Sequence, residues 1–168
     1  MFGVYDVWKF LLAFFLIFPI VTFIHLLGHI FFVKLFGGKN TRMIVGCGEK
    51  LCMLGKIEIR KFYFWSGRCE FSYLKFNNRL TNSLIILGGS LFNLISMLIV
   101  NSMIKVKVLE PSMFWDQFVY FSFYFVFFAL FPMDNPTGIP SDGKAAYLLW
   151  KKKTKKTEDD FQCKNHST

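Results

Sequence analysis

The stretch Phe23-Ile24-His25-Leu26-Leu27-Gly28-His29-Ile30 decides how this chain is read. It lies inside an apolar run from Phe10 to Phe36, interrupted by Pro19, the two histidines, Gly28 and Lys34. At about 3.6 residues per turn, positions 25 and 29 fall on one side of a helix, about one turn apart. Two neutral imidazoles at that spacing can grip one zinc ion. The chain has 3 histidines in all, and polar groups are expensive inside a bilayer, so an ionisable pair there reads as a functional site. A single such histidine would be expected only to hydrogen-bond a neighbouring helix. Two on one face shift the reading towards ligands, and firm zinc binding then requires at least a third.

The composition agrees with a membrane setting. Of 168 residues, 54% are hydrophobic and 23 are phenylalanine, more than a soluble core of this size can hide. The excess surface faces lipid. The length suits one domain. Net charge is +9, but the basic residues flank apolar spans without forming a basic helix or aromatic platform, which argues for a membrane surface and against nucleic acid as the partner. The first apolar stretch follows the acidic Asp6 and ends in no Ala-x-Ala, so it reads as a retained span and not a cleaved signal peptide. Cys47, Cys52, Cys69 and Cys163 form no Cys-x-x-Cys, which leaves zinc-ribbon and thioredoxin motifs unsupported. In cytoplasmic loops they are expected to be reduced thiols.

Three spans emerge: Phe10 to Phe36, about Ser83 to Ile104, and about Met113 to Met133. Each suffices to cross about 30 Å of hydrocarbon. Pro19 is expected to kink the first. Between the first two lies a polar insertion, Gly37 to Asn82, in which pieces such as 41–45, 56–60 and 69–73 alternate apolar and polar residues between glycines. That pattern predicts a small sheet of short strands and hairpins. It is expected to lie against the membrane surface, with Phe62, Tyr63, Phe64 and Trp65 at headgroup level. The insertion is strongly basic, and the tail after Trp150 opens with Lys151, Lys152 and Lys153 before turning acidic at Glu158, Asp159 and Asp160. The positive-inside tendency puts both in the cytoplasm and the N-terminus outside. The tail, 151–168, is expected to be disordered.

After the third span comes Pro132-Met133-Asp134-Asn135-Pro136-Thr137-Gly138-Ile139-Pro140-Ser141-Asp142-Gly143-Lys144. Its prolines and glycines forbid a regular helix, and irregular backbone at membrane depth is tolerated where it lines a cavity. Asp142 or Asp134 could therefore reach the histidines; the plain alternative is an ordinary Pro/Gly/Asp turn. Proximity is feasible. His29 stands about seven residues, on the order of 10 Å, before the inner end of the first span. The third span delivers its loop to the same leaflet.

With these motifs in view, the chain resembles the site-2 protease family of intramembrane zinc metalloproteases, in a short version with a three-helix core. The family's His-Glu-x-x-His stands here as His25-Leu26-Leu27-Gly28-His29, its Asp-Gly as Asp142-Gly143, and its Gly-x-x-x-Asn as Gly89-Ser90-Leu91-Phe92-Asn93. The resemblance covers residues 10 to 150. It implies a three-transmembrane-helix core with a cytoplasmic β insertion at 37–82, and one Zn2+ held by His25, His29 and Asp142 with water in the fourth place. It further implies substrate-binding roles for Asn93 and Asn135, and peptide-bond hydrolysis in a membrane-embedded substrate. From residue chemistry alone, Asn93 reads better as a helix-to-helix hydrogen bonder beside Gly88 and Gly89.

The departures bear on activity. Leu26 occupies the place of the family's general-base glutamate, which takes a proton from zinc-bound water and later passes one to the leaving amine. Leucine can do neither, and general acid–base help is typically worth about a hundred- to ten-thousand-fold. The family's Asn-x-x-Pro falls on Ala129 and Pro132, with Asn135 a replacement for the missing amide. Asp134 is the other acid near the site that could stand in as base. The expectation is a protease inactive or very weak as written. The alternative is a pseudoprotease that binds a membrane partner without cutting it. A haem carrier is disfavoured, because no histidine on another span faces the pair.

Overall fold

The computed structural model describes residues 7–9, 11, 13–134 and 138–151, apart from the side chains of residues 13 and 64–66. Among the described residues three stretches are long and apolar enough to cross a membrane: Val7–Leu35, Arg79–Lys105 and Met113–Leu130. The expected disordered tail and Asn135 fall outside the described residues.

Helix α1, Phe18–Leu35, carries both histidines. Pro19 sits in its first turn, where a missing N–H costs least. The five residues before it, Ala13–Ile17, form a π-helical turn. A proline ring clashes with the carbonyl four residues earlier, and the wider π turn relieves that contact. The expected kink thus takes the form of a local change of helix type. The other end of α1 closes tightly: the Gly37 N–H donates to Lys34 O at 3.0 Å and the Gly38 N–H to Val33 O at 2.7 Å. This crossed pair satisfies carbonyls that the last turn would leave bare.

The polar insertion folds into β1, Arg42–Leu54, and β2, Ile57–Glu70, paired antiparallel around the turn at Gly55 and Lys56. The expected short pieces are merged into two long bent strands. Met43, Ile44 and Val45 have partners on both sides, Cys69, Arg68 and Gly67 on one and Ile57, Glu58 and Ile59 on the other. β1 turns outward at Gly46 and Gly48, whose φ values of 91° and 87° suit glycine. Beyond that bend the segment 48–56 is exposed throughout.

The sheet packs against the side of α1. Leu26, Met43 and Val45 are buried together, with Ile30, Ile57 and Tyr63 around them. Met43 and Val45 project from the same face by strand alternation, and that apolar face seeks α1. Leu26 stands nine residues before Leu35, so the contact lies about 14 Å from the end of the helix. The sheet therefore packs along the flank of the helix.

Helix α2, Arg79–Lys105, runs 27 residues, and α3, Met113–Leu130, runs 18. α3 stops ahead of Pro132, which disfavours helical backbone in the residue before it. A fourth helix, α4, spans Asp142–Lys151, in a stretch read above as loop and tail. It is tied to the start of α2 by the Trp150 Nε1–H donating to Ser83 Oγ at 2.9 Å. Ile17, Val21, Val100 and Phe118 form an apolar core where α1, α2 and α3 meet. The remaining helix faces carry exposed phenylalanine and leucine, as lipid contact requires.

Candidate metal centre

His25 and His29 face α2 where the two helices nearly touch. A Cβ on Gly28 would collide with the Gly88 carbonyl oxygen, and one on Gly88 would lie 2.9 Å from the Gly28 carbonyl oxygen. Small residues allow such close backbone approach. At Gly89 the missing side chain makes room for the imidazoles themselves, since a Cβ there would stand 2.6 Å from the Nε2 atom of each histidine. The middle-span glycine pair thus forms the floor of the site.

Asp142 enters from the first position of α4. Its Oδ2 lies 3.1 Å from His25 Nε2 and 3.6 Å from His29 Nε2, and the two Nε2 atoms are 3.0 Å apart. Three ligand atoms on one tetrahedral zinc, each about 2.1 Å from the ion, stand about 3.4 Å from one another. The observed triangle has nearly that size. These three residues make up the His/Asp/Cys/Glu cluster capable of holding a metal among the described residues. All are largely withdrawn from solvent, His25 at 7% exposure.

The hydrogen bond made by His29 favours its ligation. His29 Nδ1 lies 2.7 Å from the Ile85 carbonyl oxygen. A carbonyl only accepts, so Nδ1 carries the proton and Nε2 of the neutral ring presents its lone pair to the site. His25 Nδ1 is buried without a partner among the described residues. Phe125 packs on the His25 ring, with centroids 4.8 Å apart. The donor set, two imidazoles and a carboxylate in a triangle of nearly the required size, fits a zinc ion.

Other expected residues fall elsewhere. Asp134 is exposed and paired with Lys144, and it bridges to Pro140; it is not one of the three residues whose ligand atoms converge. Leu26 is 1% exposed and points to the sheet, its Cδ1 2.5 Å from where a Cβ on Gly67 would lie. Asn93 is fully buried, and both polar atoms of its amide lack a partner among the described residues. It makes no helix-to-helix hydrogen bond of the kind residue chemistry suggested. Two contributors escaped sequence reasoning: the Ile85 carbonyl, which no side-chain pattern can announce, and Ser141, whose place before Asp142 and a run of good helix formers is an N-cap signal.

A relative settles the broader kinship. The uncharacterized membrane protein YwmF of Bacillus subtilis (strain 168) is 44% identical over 149 residues, covering 89% of this chain and 93% of that protein. The chain belongs to the YwmF family. It is a membrane protein, in keeping with its three apolar helices. No protein-family profile matches the chain, and no solved structure matches it.

Proposed function

We propose that this YwmF relative is a zinc-holding, site-2-protease-like protein that binds a segment of another membrane protein and does not hydrolyse it. His25, His29 and Asp142 would hold one zinc ion, which when bound supplies a Lewis acid able to polarise a carbonyl. The site-2 protease resemblance rests on the order and spacing of the three motifs, and the convergence of His25, His29 and Asp142 over Gly89 supports it.

The observation that carries the non-hydrolytic reading is the packing of Leu26. It is closed in by Met43, Val45 and Ile30 and matched to the side-chain-free Gly67. A leucine so accommodated is part of the folded core. A glutamate there would bury a carboxylate in an apolar setting, which is costly without a partner. The atoms the His–Asp cluster presents are acceptors, so a carbonyl could be bound and oriented there only through the ion that the cluster would hold, and among the described residues no second carboxylate is grouped with it to take the proton of an attacking water. The partner segment would be extended and would add to the Lys50–Leu54 part of β1, whose Leu51, Met53 and Leu54 are 63%, 44% and 62% exposed. In this reading the basic insertion and the tail are cytoplasmic and the N-terminus is outside.

Zinc content per chain of the purified full-length protein tests the centre. One zinc per chain is expected, lost in His25→Ala and in Asp142→Ala; an absence of zinc in the parent protein removes the metal from the reading. Leu26→Glu tests the rest. It is expected to lower the unfolding midpoint and to yield no cleavage, whereas metal-dependent cleavage of a membrane substrate by this variant would return the protein to the proteases.

A further inference from the structure

The carboxylate of Asp142 must meet two imidazoles from a helix that is only 10 residues long. Something has to set where that helix begins. We propose that Ser141 is the positioning residue of the centre, a single hydroxyl that latches the end of α3 to the start of α4 and thereby delivers Asp142 to His25 and His29. The inference rests on the reading of that cluster as a metal centre.

Ser141 is 7% exposed. Its hydroxyl donates to the Phe131 carbonyl oxygen at 2.6 Å, and its oxygen accepts from the Met133 and Lys144 N–H groups, both at 3.3 Å. Its backbone N–H donates to Met133 O at 2.9 Å, and its carbonyl accepts from the Ala145 N–H at 2.8 Å. The Met133 N–H also donates to the Phe131 carbonyl oxygen at 2.8 Å, so the hydroxyl joins a turn that is already closed on the α3 side to the first turn of α4. Phe131 caps the C-terminus of α3, where carbonyls lack intrahelical donors. Lys144 is the third residue of α4, whose N–H an N-cap side chain classically serves. The hydroxyl therefore joins backbone on both sides of a connection of about ten residues, at the residue adjoining the ligand.

Two neighbours keep the latch tight. A Cβ on Gly143 would collide with the Leu130 carbonyl oxygen, so α4 starts in direct contact with the end of α3. Lys144 pairs with Asp134 across the same turn. With the hydroxyl removed, the Phe131 carbonyl and the Lys144 N–H lose a buried partner, and the start of α4 is free to shift. Residues that orient metal ligands in this way typically change affinity by about 10- to 100-fold when removed.

The test uses the full-length protein in lipid nanodiscs, titrated with zinc against a chromophoric chelator. Ser141→Ala is expected to weaken zinc binding about 10-fold or more. Ser141→Thr, which keeps the hydroxyl, is expected to restore affinity to within about threefold of the parent, since threonine also caps helices. A double-mutant cycle on the zinc-free unfolding midpoint accompanies it, combining Ser141→Ala with Asp142→Asn. If Ser141 holds Asp142 against the histidines, the two changes are non-additive. Parent-like zinc affinity in Ser141→Ala overturns the inference even if that variant is less stable, as do additive midpoints. Should the parent take up no zinc, the metal reading falls, and the cycle alone decides whether Ser141 positions Asp142.

Discussion

At the scale of single residues, what matters is how little space surrounds the two imidazoles. Gly89→Ala would put a methyl 2.6 Å from both Nε2 atoms. It is expected to destabilise the protein by about 1–3 kcal/mol, the usual cost of overpacking, and to abolish zinc binding. Unfolding and zinc titration of the purified variant check both. The histidines were legible in the sequence because spacing alone puts positions 25 and 29 on one face. The surroundings of Leu26 were not. A missing glutamate is visible as a letter, whereas the strand that closes over its replacement, down to the absent Cβ of Gly67, is a tertiary fact.

At the scale of elements, periodicity located the three spans to within a few residues, because an apolar run against polar loops is an unambiguous signal. The sheet was legible as alternation, but not as two strands that bend. Alternation reports which face a residue occupies and says nothing of a strand partnered on both edges over Met43–Val45. α4 was hidden by its own approach, Pro132 to Pro140, which announces loop up to the residue before the helix starts. Its junction with α3 makes a prediction of its own. Gly143→Ala cannot be accommodated without moving α4 away from Leu130. Zinc affinity is expected to fall about 10-fold or more, while far-ultraviolet circular dichroism shows the helices intact.

For the whole molecule, the proposed orientation can be read with the chain's own chemistry. Cys52 is exposed near the tip of the β1–β2 hairpin. In a variant with Cys47, Cys69 and Cys163 changed to serine, a membrane-impermeant maleimide is expected to label Cys52 only after cells are opened. Labelling of intact cells to a similar extent would put the hairpin outside and reverse the topology. The distribution of lysine and arginine is the sequence signal behind this proposed side; the docking of the sheet along the flank of α1 is foretold by nothing in the insertion's composition.

The meeting of Gly28 with Gly88 has a consequence for how sequences of this family can drift. Two helix backbones in contact leave no room for either position to change alone: a side chain at one would have to be answered by a wider crossing, and a wider crossing would draw Gly89 and the Ile85 carbonyl away from His29. The neighbouring lipid-facing positions are under no such bond and can exchange one large apolar residue for another. An alignment of relatives is therefore expected to look frozen along a narrow stripe on each of two helices and fluid everywhere around it. Chains that have abandoned the histidines should be the ones in which that stripe has thawed.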